Sequence, residues 1–108
     1  MDVSFRSVAL NKRYPLRISR GEFSGSVNLF GSVRSGDLEG LGEAAPGSLI
    51  GMDTAESFQV ELTSFLEDCP EALDNPHEGW QLARSAGVTS CAWAAVDIAL
   101  WDLLAKRA

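Results

Sequence analysis

The C-terminal segment, residues 90–108, constrains the fold of this chain more than any other stretch of the sequence. Between Cys91 and Ala105 only Asp97 and Asp102 are polar. At about 100° per residue, these two side chains lie about 140° apart around a helix. A helix on the surface of a globular protein has one polar face, whereas this segment is apolar on several sides. The pattern therefore predicts a helix that other polypeptide covers over much of its circumference.

Two kinds of polypeptide could bury the apolar surface of this helix. Either it is the central helix of a compact domain, or part of its surface contacts polypeptide outside this chain. The remaining sequence predicts only three short strands and two modest helices, and the helical pattern runs to Ala108 without a C-capping signal. Both observations favour the second possibility. The residues that we expect at such an interface are Trp93, Asp97, Ile98, Trp101 and Leu104.

The first half of the chain has the pattern of an antiparallel sheet. Eight of the ten glycines lie between Gly21 and Gly51. Strand-forming residues dominate three segments, which are residues 3–10, 26–34 and 38–44. Together with the helices downstream, they predict an α+β fold, a three-stranded antiparallel β-meander followed by a bundle of about three helices.

A long connection, residues 11–25, separates the first predicted strand from the second. It contains Pro15, Gly21 and Gly25 together with four basic residues, and this composition predicts a loop. The first 34 residues hold six basic and two acidic side chains, net +4, whereas the rest holds three basic and thirteen acidic ones, net −10. The basic part of the chain either meets an anionic ligand or pairs with the acidic remainder of the same domain.

Two helices are predicted before the C-terminal one. Asp53, with Glu56 three residues later, forms a capping-box pattern at the start of the first, and Pro70 ends it. Asn75 and Pro76 provide an N-cap and a first residue for the second. The apolar face that we expect in the core of the first helix consists of Ala55, Phe58, Leu62, Phe65 and Leu66.

Composition limits the function. A net charge of −6 over 108 residues argues against a nucleic-acid surface, which requires clustered Lys and Arg. No apolar run approaches the roughly 20 residues that span a bilayer, and the first 15 residues lack the apolar core of a secretory signal. Cys69 and Cys91 belong to no CxxC pair, so we expect both to be reduced. These features predict a cytoplasmic protein that binds neither nucleic acid nor membrane.

Motifs that would carry chemistry are incomplete. Residues 40–45, GLGEAA, match the letters of a dinucleotide-binding fingerprint, but Pro46 follows where a helix must begin. The zinc-protease pattern HExxH fails because Gln81 stands where the second histidine would follow His77. Glu43 fits either an ion pair with an early arginine or a loop contact through backbone amides. The residues therefore predict no catalytic residue and no metal site in this chain.

The order of these features resembles a known domain. A three-strand meander, a basic first connection, the string GLGEAAP at residues 40–46 and the string AAVDIALWDLLAK at residues 94–106 are similar to the N-terminal capping domain of the enolase superfamily. Within it, the mandelate racemase and muconate-lactonizing branch is the better match, and the dipeptide epimerases look most similar. The resemblance covers essentially the whole chain.

The resemblance implies that the capping domain and a C-terminal barrel have separate roles. In that family a C-terminal (β/α)-barrel holds lysine bases, which remove a proton next to a carboxylate, and three acidic residues, which bind Mg²⁺. The only lysines here are Lys12 and Lys106, so we expect no cofactor in this chain and Mg²⁺ in the missing barrel. The capping domain contributes loops that close over the substrate. By order along the chain, the corresponding residues are Ser19, Arg20, Glu22, Phe23, Leu49 and Met52.

We therefore interpret residues 1–108 as a single capping domain that is not catalytic alone. Its parent enzyme would be a Mg²⁺-dependent racemase, epimerase or cycloisomerase acting on a small carboxylate substrate, and its partner would be the missing barrel or another chain. The alternative is a stand-alone interaction module that self-associates, or binds a partner, through the apolar C-terminal helix. A barrel sequence after Ala108 would favour the first hypothesis, and a stop codon the second.

Overall fold

The computed structural model of the chain is an α+β structure. It describes the backbone of residues 1–18, 21–46 and 53–108, and the side chains of residues 1–9, 27–46 and 53–108. In chain order the elements are β1 (Asp2–Ile18), β2 (Gly21–Ser35), β3 (Leu38–Ala44), α1 (Ala55–Asp68), a 3₁₀ turn (Pro70–Leu73), α2 (Pro76–Ser85) and α3 (Ser90–Arg107). Within these residues, the prediction of a three-stranded meander followed by about three helices is confirmed.

The strands form one antiparallel sheet in the order β1-β2-β3. The turn between β2 and β3 contains Gly36 at a φ of 61°, a backbone conformation that residues with a Cβ rarely adopt. On the central strand β2, Leu29 and Val33 are fully buried. Their neighbours across β3 are Ala44 and Gly40, which lie on the same side of the sheet. Alternate residues of the two strands therefore form the sheet side of the core.

The prediction of a loop over residues 11–25 is wrong. β1 extends to Ile18 and β2 begins at Gly21, and residues 16–18 lie opposite residues 21–23 in antiparallel register. Where the register pairs them, cross-strand hydrogen bonds satisfy backbone amides and so override the turn signals in the sequence. The register is irregular between Asn11 and Leu16, which is consistent with a proline at position 15, because proline has no N–H to donate to a neighbouring strand.

The start of α1 is a capping box, as predicted, but it lies one residue further along the chain. The hydroxyl of Thr54, not the carboxylate of Asp53, accepts the backbone N–H of Ser57 at 3.0 Å. Ser57 Oγ in turn accepts the backbone N–H of Thr54 at 2.9 Å, so Glu56 is not needed for the cap. Of the predicted core residues Phe65 is half-buried, and the fully buried ones are Ala55, Phe58, Leu62 and Leu66.

Asn75 caps α2, as predicted. Its Oδ1 accepts the backbone N–H groups of His77 and Glu78 at 2.9 and 3.2 Å. One turn further on, α2 lies against the 3₁₀ turn so closely that a Cβ atom on Gly79 would be 2.2 Å from the carbonyl oxygen of Ala72. These contacts fix the start of α2, where His77 enters the candidate site.

α3 lies directly on the sheet through small residues. A Cβ atom added to Gly40 would be 2.0 Å from the carbonyl oxygen of Ala99, and one added to Gly42 would be 2.2 Å from that of Ala95. On β2, the corresponding distance from Gly31 to the Ala95 oxygen is 2.7 Å. Contacts this short leave no space for a side chain. The glycines of the GxG string are therefore packing residues, which agrees with the rejection of a dinucleotide-binding role.

Replacing these glycines by alanine should destabilise the fold most at Gly40, less at Gly42 and least at Gly31, because the added Cβ atom is closest to the helix at Gly40. We expect Gly40→Ala to lower the free energy of unfolding by about 1–3 kcal/mol or more, because α3 must shift away from the sheet, and Gly31→Ala by less. The matched control is Leu41→Ala, since Leu41 lies between the two glycines of β3 with its side chain exposed, and its effect should be below about 0.5 kcal/mol. Urea unfolding followed by circular dichroism measures all three variants. Equal effects at positions 40 and 41 would contradict the packing role.

Candidate functional site

Two neighbouring cavities form a groove between α2 and α3, which we call the α2–α3 groove. One has a volume of about 410 Å³ and the other about 340 Å³. Trp80 and Asp97 line both of them, so the groove has a carboxylate near its centre. The groove residues that concern the site are His77, Trp80, Arg84, Trp93, Asp97 and Trp101.

One side of α3 remains exposed in this chain. Ile98, Trp101 and Leu104 expose between 41% and 48% of their surface. Successive members are three residues apart, so they form one stripe along the helix, which we call the α3 stripe. Neighbouring large apolar side chains exposed to this degree are typical of a surface that another polypeptide covers. The structure thus leaves these three predicted interface residues accessible.

Trp93, which was expected beside them, is not part of the α3 stripe. Only 3% of its surface is exposed, and its ring packs edge-on against Phe65 with the ring centroids 5.6 Å apart. It shares its side of the helix with Val96 and Leu100, three and seven residues later, and both are buried. Because α3 is apolar on several sides, hydrophobicity alone does not predict that Trp93 is buried and Trp101 exposed.

Asp97, the remaining predicted interface residue, is half-buried within the groove. Burial raises the pKa of its carboxyl above the usual 3.8, and interactions with Trp101 and His77 oppose that rise. None of the described residues forms a salt bridge with it. The carboxylate therefore retains the capacity to bind a cation or a hydrogen-bond donor of a ligand or partner.

Aromatic and basic side chains surround this carboxylate. The rings of His77 and Trp101 meet edge to face, with centroids 4.9 Å apart and an interplanar angle of 88°. On the other side of the groove, the guanidinium carbon of Arg84 lies 5.1 Å from the centroid of the Trp80 ring, a cation–π contact. The groove is therefore lined by aromatic rings, two basic side chains and one carboxylate.

Asp102, the second acidic residue of α3, has a structural role. Its Oδ2 accepts the backbone N–H of Leu41 at 2.9 Å and the Lys106 ammonium at 2.9 Å. The same ammonium donates to the carbonyl oxygen of Glu39 at 2.8 Å. The hydrogen bond from Leu41, followed by that from Lys106, lowers the pKa of the Asp102 carboxyl. These bonds tie the last turns of α3 to β3.

Few of the predicted substrate-contact residues fall on the described structure. Glu22 and Phe23 lie on β2, in the stretch paired with residues 16 and 17 of β1. Their side chains, and the residues Ser19, Arg20, Leu49 and Met52, lie outside what the structure describes. The role of all six residues at a substrate therefore stays a prediction.

Glu43 has a partner that sequence reasoning missed. Its Oε2 accepts the side-chain amide of Asn28 at 2.6 Å, and Asn28 is almost fully buried. The register places Phe30 opposite Glu43, so Asn28 is the next residue of β2 on the same face of the sheet. Among the described side chains, the expected ion pair with an early arginine is not formed. Only the register, which the sequence does not specify, brings this pair together.

Neither a metal centre nor a membrane-spanning helix occurs among the described residues. They contain no group of three His, Cys, Asp or Glu side chains placed to hold a metal ion. A magnesium ion therefore does not fit the described part of this chain. In the same ranges, no helix combines the length and the apolar content that crossing a bilayer requires.

Three features define the class of this domain: the three-stranded meander, the close packing of α3 on the glycines of β3, and the two aspartates of α3. A comparison with protein families identifies the same class. The model of the family described as "Mandelate racemase / muconate lactonizing enzyme, N-terminal domain" matches residues 1–108. The chain belongs to this family. The resemblance stated from the sequence is therefore confirmed.

Individual proteins similar to this chain include several dipeptide epimerases. A hydrophobic dipeptide epimerase of Roseobacter litoralis is 49% identical over 109 residues, covering 100% of this chain and 31% of that protein. A second protein of the same name, from Flavobacteria bacterium, is 41% identical over 108 residues, again with 31% of its length covered. The solved dipeptide epimerase of Methylococcus capsulatus, complexed with Mg and the dipeptide L-Arg-D-Lys, superimposes with a TM-score of 0.72 at 27% identity, covering 98% of this chain and 31% of that one. The chain thus spans about a third of the length of these relatives.

Asp97 and Asp102 should affect stability in opposite directions. Because the folded-state pKa of Asp97 is raised, its ionisation costs stability as the pH rises through the range above 3.8, so Asp97→Asn should stabilise the fold more at about pH 7 than at about pH 3. Asp102 has a lowered pKa, so its contribution is present above 3.8 and is lost as the pH falls through the folded-state value. Asp102→Asn should therefore destabilise at about pH 7 and much less at about pH 3. Urea unfolding at both pH values tests this, and equal destabilisation by the two variants at neutral pH would contradict it.

Proposed function

We propose that this chain is the N-terminal capping domain of a Mg²⁺-dependent dipeptide epimerase. The observation that carries the proposal is the 49% identity, over the whole chain, to a protein named a hydrophobic dipeptide epimerase. Epimerisation requires removal of the proton from a carbon next to a carbonyl or carboxylate and its return on the opposite face. The bases and the metal ligands would come from the C-terminal part, since this chain spans only about a third of such a protein.

Under this proposal, the tip of the β1–β2 hairpin and the segment after β3 close over the dipeptide. Arg20 would contact the substrate carboxylate, because a guanidinium binds a carboxylate through two parallel hydrogen bonds. Phe23 would help to exclude water. Ser19 and Glu22 would complete the first lid, and Leu49 and Met52 would form a second, smaller one. Apolar side chains in both lids fit a substrate whose own side chains are apolar.

The α3 stripe and the α2–α3 groove would be the surface that docks on the C-terminal domain. Ile98, Trp101 and Leu104 each expose almost half of their surface, so covering them would contribute roughly 1 kcal/mol or more per side chain. A capping domain needs such an anchor, because its lids act only if the domain is held at a fixed distance from the catalytic groups.

The same stripe supports a second candidate function. A stand-alone module would use it to self-associate or to bind another protein. A net charge of −6 opposes the close approach of two copies, which favours the first proposal. Sedimentation equilibrium of the 108-residue chain tests the self-association that this candidate includes, since a monomer at high protein concentration counts against it.

The direct test is a fusion of residues 1–108 to the part of the Roseobacter litoralis relative that follows its matched segment. With Mg²⁺ and dipeptides of apolar residues, we expect the fusion to convert one diastereomer into the other and to exchange the Cα proton for deuterium in D₂O. The 108-residue chain alone should do neither. Proton NMR spectroscopy follows both reactions in one sample.

The interface supplies a matched pair of variants for this fusion. Trp101→Ser should lower the turnover by about tenfold or more, because a loosened capping domain no longer positions its lids. Leu41→Ser removes an apolar side chain that is at least as exposed as Trp101 and lies on the face of the sheet away from α3, so it should leave turnover unchanged. Activity of the 108-residue chain alone, or a folded fusion that is inactive on every dipeptide, would contradict the proposal.

A further inference from the structure

The α2–α3 groove has the components of a receptor for a cationic side chain. Trp80 and Trp101 are both exposed, and both line the cavity that contains the carboxylate of Asp97. Indole rings attract cations over their faces, and an adjacent carboxylate adds a direct charge interaction. Arg84 and His77 line the groove as well, so any preference for positive charge rests on Asp97 and on the indole face of Trp101.

The chain already contains one example of such a contact. Arg84, one helical turn after Trp80, places its guanidinium carbon 5.1 Å from the centroid of that ring. Arg84 and Asp97 line the same cavity, yet among the described residues they form no salt bridge. The guanidinium of Arg84 is thus held by Trp80. His77, the other basic residue of the groove, forms no salt bridge with Asp97 among the described residues either, so the carboxylate keeps its capacity for another cation.

We propose that the α2–α3 groove receives an arginine side chain from the polypeptide that docks on this face, with its guanidinium against Asp97 and Trp101. Arginine fits better than lysine because its planar guanidinium stacks on indole rings and sheds water more readily. A second copy of this chain is the less suitable occupant, since each copy carries a net charge of −6. The inference rests on the proposed docking role and adds the chemistry by which the docking partner is recognised.

The probe for this receptor is N-acetyl-arginine N-methylamide, which carries one guanidinium and two peptide carbonyls. Titrated into the ¹⁵N-labelled 108-residue chain, it should shift the indole signals of Trp80 and Trp101. The citrulline analogue has nearly the same shape without the charge, and we expect it to bind about fivefold more weakly or worse. In the fusion the docked domain fills the groove, so the probe should no longer bind.

The matched variants are Asp97→Asn and Asp68→Asn, the second being an exposed aspartate at the end of α1. Circular dichroism first establishes that both are folded. We expect Asp97→Asn to weaken the arginine probe by about fivefold or more and Asp68→Asn to leave it unchanged. Trp101→Leu should weaken the probe as well, since it keeps an apolar side chain but removes the indole face.

The outcomes separate this inference from the proposed function. Equal binding of the arginine and citrulline probes, or insensitivity to Asp97→Asn, overturns the arginine receptor even if the fusion is active. Retention of probe binding by the fusion overturns it too, and so does a dimer of the 108-residue chain that Asp97→Asn dissociates, because the occupant would then be a second copy. An inactive fusion that excludes the probe would contradict the epimerase proposal while supporting the receptor.

Discussion

The close contact between α3 and the sheet is the interaction on which the rest of this structure depends. At Gly40 and Gly42 the helix backbone approaches β3 so closely that not even a methyl group fits between them. Ala95 and Ala99 are the helix residues at this contact, and both are fully buried. Close packing of this kind fixes the distance and the rotation of the helix, because any larger side chain on either surface would push them apart. The hydrogen bond from Leu41 to Asp102 then fixes the helix along its axis.

The rotation of α3 decides which side chains remain for function. With alanines against the sheet and Trp93 against α1, three large side chains of the helix, Ile98, Trp101 and Leu104, remain on the outside. The same rotation turns Asp97 towards α2, where it meets Trp80 and His77 in the groove. One packing contact thus accounts both for the fold and for a surface with apolar, aromatic and acidic parts. The proposed docking of a C-terminal domain, and the recognition of an arginine from it, are two uses of that one surface.

Much of the fold follows from local sequence patterns, and the site follows much less. The helices were predictable because Asn75, Pro70 and the apolar period of α1 act within one or two turns. The extension of β1 and β2 into residues 11–25 was not predictable. Cross-strand hydrogen bonds stabilise it, and the sequence there is rich in residues that favour turns. The α3 stripe was predicted, whereas the position of Trp93 was not, because α3 is apolar on several sides. No local sequence pattern predicts that Trp80 lies near Asp97, because the two residues come together only through the packing of α2 on α3.

The central claim is that the glycine–alanine contact joins α3 to the sheet as one cooperative unit and so holds its outer face in place. Native-state hydrogen exchange of the backbone amides tests this most directly. We predict that the amides of Ala99 and Leu103 exchange as slowly as those of Val33 on β2, through the same global unfolding. If the α3 amides exchange about a hundredfold faster than the β2 amides, the helix opens independently of the sheet. That result would contradict the account.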